Sequence, residues 1–476
     1  MSAISNVVRQ ATDRHGTPLA LCRMRLDFAT SDSRRPTTIV FDLSLGGQSV
    51  GSVAAPAAKI GVPLRFSEAR AMHKWDYRIP EELIRFVNQH LRDTQPLYLA
   101  FDSPYGYLPA VQWELLATSV LKRPIVRLGA NSVRPVLAEP IMDVAYCCSL
   151  PAHAGVSPAV VATDFIRQLP RELPEQARLH VFTHRALSSL LQRKIEALGA
   201  SRAVTIYAAP EMTTCPLSGA QQTLTDLPEV SQLQNSWLLW MRDALQHVSV
   251  DVVHFVCSGY LGRTKAGLRL ANGPMEAEGF GCSEIVSTRE IAMFLQQVGA
   301  WSVVFSSPPF NSCDLGLRML FHEIAGMAAG PTAFHDIAAD SDSNALAMLY
   351  RYVFVPEVGS IPSSPALALS THPAWSSPRN QQWDDRMERL VRDYTVFGHA
   401  ASGNAPQVSA AQAPAPWATS QQRSLEKSIA ELANAPQSER EQAREDGILE
   451  ALRFTKDLLS KYIGRGSDDK DGSAQS

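Results

Sequence analysis

The segment Asp251-Val-Val-His-Phe-Val-Cys-Ser-Gly259 is an apolar run that ends at small residues, and Trp301-Ser-Val-Val-Phe-Ser-Ser-Pro-Pro309 repeats its pattern. Apolar runs that do not alternate predict strands that are buried on both faces of a parallel sheet. Between them, residues 287–297 predict a helix, because Ser287 and Glu290 have the spacing of a capping box. The two strands of such a βαβ unit end at the same edge of the sheet, where α/β proteins build their sites. We therefore expect any site to lie between residues 257–259 and 306–309.

The same alternation extends outward from this unit in both directions. Strands are predicted at 96–101, 124–128, 142–148, 179–183, 203–207 and 332–334, and helices at 79–91, 109–121, 158–169, 185–198, 230–247, 314–328 and 341–352. A hairpin is also expected to leave the sheet edge at 260–272. Strands that alternate with helices of this length indicate an α/β fold with a mostly parallel sheet flanked by helices.

The ends of the chain differ from this pattern. Residues 17–28 and 35–45 predict an antiparallel β-hairpin, whereas 46–58 is small and is expected to be flexible. Sequence after 356 is rich in Ser and Pro, with one more helix expected at 382–394. We therefore divide the chain into an N-terminal β-hairpin extension (1–70), an α/β domain (71–395), a flexible linker (396–420) and a helical tail with a disordered end (421–476).

The tail carries a short amphipathic pattern. Four apolar side chains recur at helical spacing: Ile448, Leu452, Leu459 and Tyr462. The pattern is too short for an independent coiled coil. It predicts a helix that binds a protein partner or a second copy of itself.

Composition excludes several classes of function. The chain has 476 residues, and 45% of them are hydrophobic. Its formal net charge of −3 lacks the positive excess that is typical of proteins that bind nucleic acid. The first residues lack a signal-peptide pattern, and no apolar run is long enough to span a membrane. Seven cysteines without CxxC spacing are typical of a reducing cytoplasm rather than of a disulfide framework. We expect a cytoplasmic protein with no cofactor and no metal site.

Single residues that suggest chemistry have simpler explanations. His322-Glu323 begins like a zinc-binding helix, but Gly326 stands where the second histidine is required, so His322 is interpreted as a partly buried helix residue. The vicinal pair Cys147 and Cys148 has no basic flank to activate a thiol and is expected to lie in the core. For His254 the preferred interpretation is a core histidine hydrogen-bonded to backbone.

The arrangement of strands between residues 91 and 352 resembles the CHAT domain, a caspase-like peptidase fold common in bacterial conflict and defence systems. Residues 97–116 look like the early strand and helix start of that family. The segment 251–259 is similar to its histidine strand, 301–307 to its nucleophile strand, and 316–334 to the helix and strand that follow. The resemblance implies a caspase-like fold with a Cys–His dyad at the ends of two strands.

The dyad itself is missing from the matching positions. His254 matches the first, structural histidine of the family, while the catalytic histidine falls on Ser258 and the catalytic cysteine falls on Pro308, or on Ser307 if the loop is one residue shorter. A proline has no nucleophile, and a serine without a base is inert near neutral pH. We therefore expect an inactive pseudo-peptidase that binds a protein or peptide partner through its cleft and its C-terminal helix.

One alternative stays open. A divergent cysteine or serine hydrolase would use Cys313, at the start of a helix whose dipole would lower its pKa, or else Ser306 or Ser307. His254 would then serve as the base, with His322 as a second possibility for Cys313.

Overall fold

The computed structural model describes the following parts of the chain: 18–28, 36–71, 77–91, 95–114, 121–129, 142–149, 160–162, 177–197, 204–208, 233–245, 248–262, 265–271, 283–308, 314–354 and 361–376. All of them belong to the first of the two units into which the chain divides, Met1–Val391. The predicted helix at 382–394, the linker and the tail lie outside the described residues.

Fifteen strands form in these parts of the chain. In order they are β1 (Ala20–Asp27), β2 (Thr38–Leu45), β3 (Gln48–Pro56), β4 (Leu97–Phe101), β5 (Ile125–Leu128), β6 (Met142–Cys148), β7 (Ala177–Thr183), β8 (Val204–Tyr207), β9 (Val252–Val256), β10 (Ser258–Leu261), β11 (Ala266–Ala271), β12 (Ser283–Ser287), β13 (Ser302–Ser307), β14 (Thr332–Asp336) and β15 (Leu367–Thr371).

The helices complete the secondary structure. They are α1 (Ala57–Ile60), α2 (Phe66–Ala71), α3 (Glu81–His90), α4 (Arg185–Ala197), α5 (Ser236–Ala244), α6 (Thr288–Val298), α7 (Asp314–Ala325) and α8 (Asn344–Phe354), with 3₁₀ turns at Leu108–Ala110 and Pro373–Ser376. Ser287 caps α6 as predicted, because its hydroxyl accepts a hydrogen bond from the backbone N–H of Glu290.

Twelve strands make one sheet in the order β3-β2-β1-β4-β5-β15-β14-β13-β9-β6-β7-β8. Neighbours are parallel except at β1–β2, β2–β3 and β14–β15. The predicted α/β fold, with a mostly parallel sheet flanked by helices, is confirmed. β10, β11 and β12 form a separate antiparallel sheet, in which β10 and β11 are the hairpin expected at 260–272.

Two strands of the large sheet contradict the sequence expectations. The region 46–58, expected to be flexible, contains β3, which pairs antiparallel with β2. β15 lies in the middle of the large sheet, between β5 and β14, although the sequence after 356 suggested no strand. Both strands are short or rich in small residues, so their local signal is weak, and pairing with neighbours that are already in place decides their conformation.

The predicted helix at 109–121 also needs correction at its start, where the 3₁₀ turn Leu108–Ala110 precedes it. Within the described parts of the chain, no helix combines the length and the apolar character needed to cross a bilayer.

The sheet is buried on both faces around β9 and β13. Alternate side chains of the two strands pack on one side against α6 and α7, through residues such as Phe294 and Phe321. The remaining side chains pack on the other side beneath α8, where Leu349 and Tyr350 are fully buried. Since strand side chains alternate between faces, His254 lies on the α8 face.

Candidate functional site

The carboxyl ends of β9 and β13 meet at one edge of the sheet, where the sequence predicted a site. The strands are parallel, with Val304 opposite His254 and Ser306 opposite Val256. Immediately after β9, the backbone N–H of Cys257 donates to the carbonyl of Ser306 over 3.4 Å. The ends of the two strands are therefore adjacent.

Ser306 stands between two histidines. Its Oγ lies 2.7 Å from Nε2 of His254 and 2.9 Å from Nδ1 of His335. The other ring nitrogen of His254 lies 2.8 Å from the hydroxyl of Tyr350, and Nε2 of His335 lies 2.9 Å from Oδ2 of Asp340. These five residues, Tyr350, His254, Ser306, His335 and Asp340, are called the core polar network below.

The core polar network is closed to solvent. Its members have exposed fractions between 0% for His254 and 6% for Asp340, and the Ser306 side chain is 1% exposed. A polar group buried to this extent requires hydrogen-bond partners, because an unpaired one costs about 1–3 kcal/mol. The four hydrogen bonds provide these partners.

Asp340 fixes the hydrogen bond at one end of the network. Burial alone would raise its pKa, but hydrogen bonds from His335 and from the backbone N–H groups of Ala345 and Leu346 lower the pKa below its ordinary value. The ionised carboxylate is only an acceptor, so Nε2 of His335 carries the hydrogen. When His335 is neutral, its Nδ1 accepts from the Ser306 hydroxyl.

With His335 in this neutral form, the hydrogen bonds at the other end of the network follow. Ser306 has a single proton, which it donates to His335, so its oxygen accepts from Nε2–H of His254. His254 Nδ1 then accepts from the hydroxyl of Tyr350. Burial lowers the pKa of His254 well below its ordinary value and raises the pKa of Tyr350 well above its own. Both groups are therefore neutral at pH 7, and with His335 neutral as well every hydrogen bond points from Tyr350 toward Asp340.

Asp340 also connects the network to α8. Its two carboxylate oxygens accept from the backbone N–H groups of Ala345 and Leu346, each over 3.0 Å, at the start of that helix. Tyr350 adds a second contact from the middle of α8. The network thus joins three neighbouring strands to the helix that covers them, and such fully paired buried networks specify one packing arrangement.

The remaining predicted site residues are placed differently. Ser258 begins β10, is half-buried and pairs with Arg269. Ser307 is buried, and its hydroxyl donates to the carbonyl of Pro308 over 3.1 Å. Cys313 and the tail residues Ile448, Leu452, Leu459 and Tyr462 lie outside the described residues.

The interpretation of His254 was half right. The residue is in the core, but its partners are the side chains of Ser306 and Tyr350, whereas the sequence analysis expected backbone. His335, Asp340 and Tyr350 were missed as members of the network. A lone histidine in a five-residue buried strand carries no local signal, and only the parallel pairing of Ser306 with His335 brings the two together.

The four cysteines that the structure describes are buried free thiols: Cys22, Cys147, Cys148 and Cys257. The vicinal pair lies in the core, as predicted. Burial raises the pKa of Cys22 and that of Cys148 to about 12. Thiols of this kind are poor nucleophiles at neutral pH. Over the described parts of the chain, no cluster of three or more His, Cys, Asp or Glu side chains is arranged to hold a metal ion.

His322 is partly buried on α7, as predicted, with its ring edge-on to the rings of Phe101 and Tyr105 at 5.2 and 5.3 Å. Burial and the nearby Arg127 guanidinium lower the pKa of His322 to about 3. Burial lowers the pKa of His372 to about 4.

These lowered pKa values make stability dependent on pH. A histidine that stays neutral when folded but takes up a proton when unfolded contributes its full stabilisation above about pH 6.5, and this is lost as the pH falls toward the folded pKa. The unfolding free energy is expected to decrease as the pH is lowered from about 6.5 to 5. We expect His372→Gln to reduce the slope of this decrease by about 1.4 kcal/mol per pH unit. Denaturant titrations over this pH range measure the slope. An unchanged slope in the variant would show that His372 protonates equally in both states.

Comparison with known proteins adds no identification. No family model matches the chain, and neither the curated proteins nor the solved structures contain a match.

Proposed function

We propose that this chain is a catalytically inactive CHAT-like protein, a pseudo-peptidase that acts as a protein-binding or regulatory module. The observation that carries the proposal is the position of His254, which is fully buried with both ring nitrogens hydrogen-bonded inside the core. A general base has to reach a proton on a group that contacts substrate. His254 is held where it supports α8, so it is suited to a structural role.

The two dyad positions support the same conclusion. Under the resemblance to the CHAT domain, the catalytic imidazole and thiolate would stand at Ser258 and Pro308, at the adjacent ends of β9 and β13. Ser258 offers a hydroxyl and Pro308 offers no nucleophile. A peptidase of that mechanism would need both groups.

The partner in this proposal is a protein or peptide. It would contact the edge of the sheet beside Ser258 and Pro308, and the tail would add a helix with Ile448, Leu452, Leu459 and Tyr462 on one side. The resemblance places such a protein in the bacterial cytoplasm, in a defence or signalling system beside an active protease or effector.

A divergent hydrolase is the second candidate, and one observation favours it. The hydrogen bonds from Ser306 to His335 and from His335 to Asp340 join the residue types of a Ser–His–Asp triad. Against it stands the burial of Ser306, whose side chain is 1% exposed. A nucleophile must contact the carbonyl it attacks, so a 1%-exposed hydroxyl favours the structural role. If the nucleophile were Cys313 instead of a serine, we would likewise expect a chemical probe to label that one residue.

Chemical labelling distinguishes the two candidates. We expect a fluorophosphonate to leave Ser306 and Ser307 unmodified in the folded full-length chain, because both hydroxyls are buried. Iodoacetamide is expected to spare Cys22, Cys147, Cys148 and Cys257 until the chain is unfolded, since a buried thiol is inert. Peptide mapping by mass spectrometry reads both results, and a urea-unfolded sample is the positive control for the cysteines.

A different pattern would overturn the proposal. Stoichiometric modification of Ser306, Ser307 or Cys313 in the folded chain, together with cleavage of a protein substrate that is lost when that residue is replaced by alanine, would identify an active hydrolase. Slow modification spread over several exposed residues would agree with the inactive protein.

A further inference from the structure

β3 is one edge of the large sheet. It pairs with β2 on one side, and along the described parts of the chain no strand pairs with its other side. Helix α3 covers one face of the strand, because a Cβ added to Gly51 would come within 3.1 Å of the Phe86 ring. β3 therefore presents its outer row of backbone N–H and C=O groups at the edge of the sheet.

β3 lacks two of the features that normally protect an edge strand, a very short length and charged side chains. Such strands are usually very short, or carry lysine, proline or a bulge. Gln48–Pro56 contains no charged residue, and its single proline is the last position. A bulge at Val50 interrupts the ladder, since Leu43 pairs with Gly51 and Ser44 with Ser49. From Gly51 to Pro56 the ladder with β2 is regular.

The opposite edge of the sheet is different. β8 has only four residues, Val204–Tyr207, so its shortness limits the number of hydrogen bonds that another strand can form with it. β3 has nine residues. Of the two edge strands, β3 can therefore form more hydrogen bonds with an added strand.

We propose that β3 pairs antiparallel with β3 of a second copy of this chain, so that two sheets continue into one across a twofold axis. Antiparallel pairing of a strand with itself places like residues symmetrically opposite one another, so a charged residue near the axis would face its own copy. β3 has none in any register. The exposed side chains Ser49, Ser52 and Ala54 are small and allow the two strands to approach.

The chemistry of β3 favours this occupant over an unrelated peptide. Peptides that add to a sheet edge gain affinity from main-chain hydrogen bonds and specificity from pockets or charges for their side chains. The exposed side chains of β3 carry no charge, and after Gln48 they are the small groups of Ser49, Ser52 and Ala54. Such an edge is complementary to another uncharged strand of small residues, and β3 itself is one.

Sedimentation of the full-length chain tests the proposal. We expect a dimer at about 100 µM whose dissociation constant rises at least about tenfold when Ser52 and Ala54 are both replaced by lysine, because the added charges face each other across the axis. Thr205→Lys, on the exposed side of β8, is the matched control and is expected to leave the dimer intact. Circular dichroism and thermal unfolding show whether each variant is folded.

Hydrogen exchange gives a second reading that needs no variant. The outward-pointing amide protons among residues 51–55 are expected to exchange more slowly as the protein concentration rises through the dimerisation range. A monomer at every concentration overturns the proposal. So does a dimer that is unaffected by the β3 lysines, or one in which these amides exchange at the same rate as in the monomer, since another surface would then form the contact.

Discussion

Replacing Glu114 with glutamine is expected to lower the free energy of unfolding by about 3–5 kcal/mol, because two buried guanidinium groups would lose their carboxylate. Nε of Arg127 donates to one Glu114 oxygen over 2.6 Å and Nη2 to the other over 3.2 Å. Arg318 of α7 lies 3.7 Å from the same carboxylate. All three side chains are at most 2% exposed.

This ion pair matters because of what Arg127 connects. From β5 its guanidinium also donates to the carbonyls of Pro109 and Val111, which fixes the segment before Glu114 against the sheet. Arg318 adds a contact from the helix that covers β13. Loss of the Glu114 charge would therefore weaken the junction between the β4–β5 region and the β9–β14 region.

A surface pair provides the matched control. Arg23 and Asp102 are 3.2 Å apart, with side chains 29% and 39% exposed. Asp102→Asn is expected to cost no more than about 1 kcal/mol, because solvent screens an exposed pair. Urea titration of both variants at neutral pH makes the comparison. Equal losses of unfolding free energy in the two variants would show that the buried carboxylate of Glu114 contributes no more to stability than the exposed carboxylate of Asp102.

The second large effect is expected at Ser306. Ser306→Ala removes the hydroxyl that bridges His254 and His335 and leaves two buried ring nitrogens facing a methyl group. Since each unsatisfied buried group costs about 1–3 kcal/mol, we expect a total loss of about 2–6 kcal/mol. The neighbouring Ser307→Ala removes an equally small buried side chain that forms a single hydrogen bond to the Pro308 carbonyl. Its cost is expected to be about 0.5–1.5 kcal/mol.

The comparison of the two serines tests the core polar network directly. Urea titration measures the stability difference, and nitrogen NMR of the imidazole rings reports which nitrogens carry hydrogen. In the unmodified chain His254 and His335 are both expected to carry it at Nε2. Similar losses for Ser306→Ala and Ser307→Ala, or hydrogen at Nδ1 of His335, would contradict the assigned direction of the network.

Much of the fold follows from local patterns. The apolar runs 251–259 and 301–309 became β9 and β13, and the capping pair Ser287 and Glu290 marked the start of α6. These features can be read from the sequence because burial on both faces imposes a continuous apolar run, and because a helix start favours a side-chain acceptor. The edge at which β9 and β13 end follows from the handedness of a βαβ unit.

The composition of the site was only partly visible. His254 and Ser306 were identified as candidates because they belong to the two strands whose ends were predicted to form the site. The sequence did not identify His335, Asp340 or Tyr350, nor did it show that His254 would be sealed beneath α8. It also missed β3, β12 and β15.

The amino-acid sequence by itself determined the α/β class, the positions of most strands and the absence of a Cys–His pair at Ser258 and Pro308. The tertiary structure alone decided that β15 enters the centre of the sheet, pairing Ser370 with Arg127, and that Ser306 meets His335. The physical reason is the range of the interactions. Burial periodicity and capping act over a few residues, whereas strand pairing and buried hydrogen bonds join residues far apart in the chain, and their free energy is gained only once the whole sheet has formed.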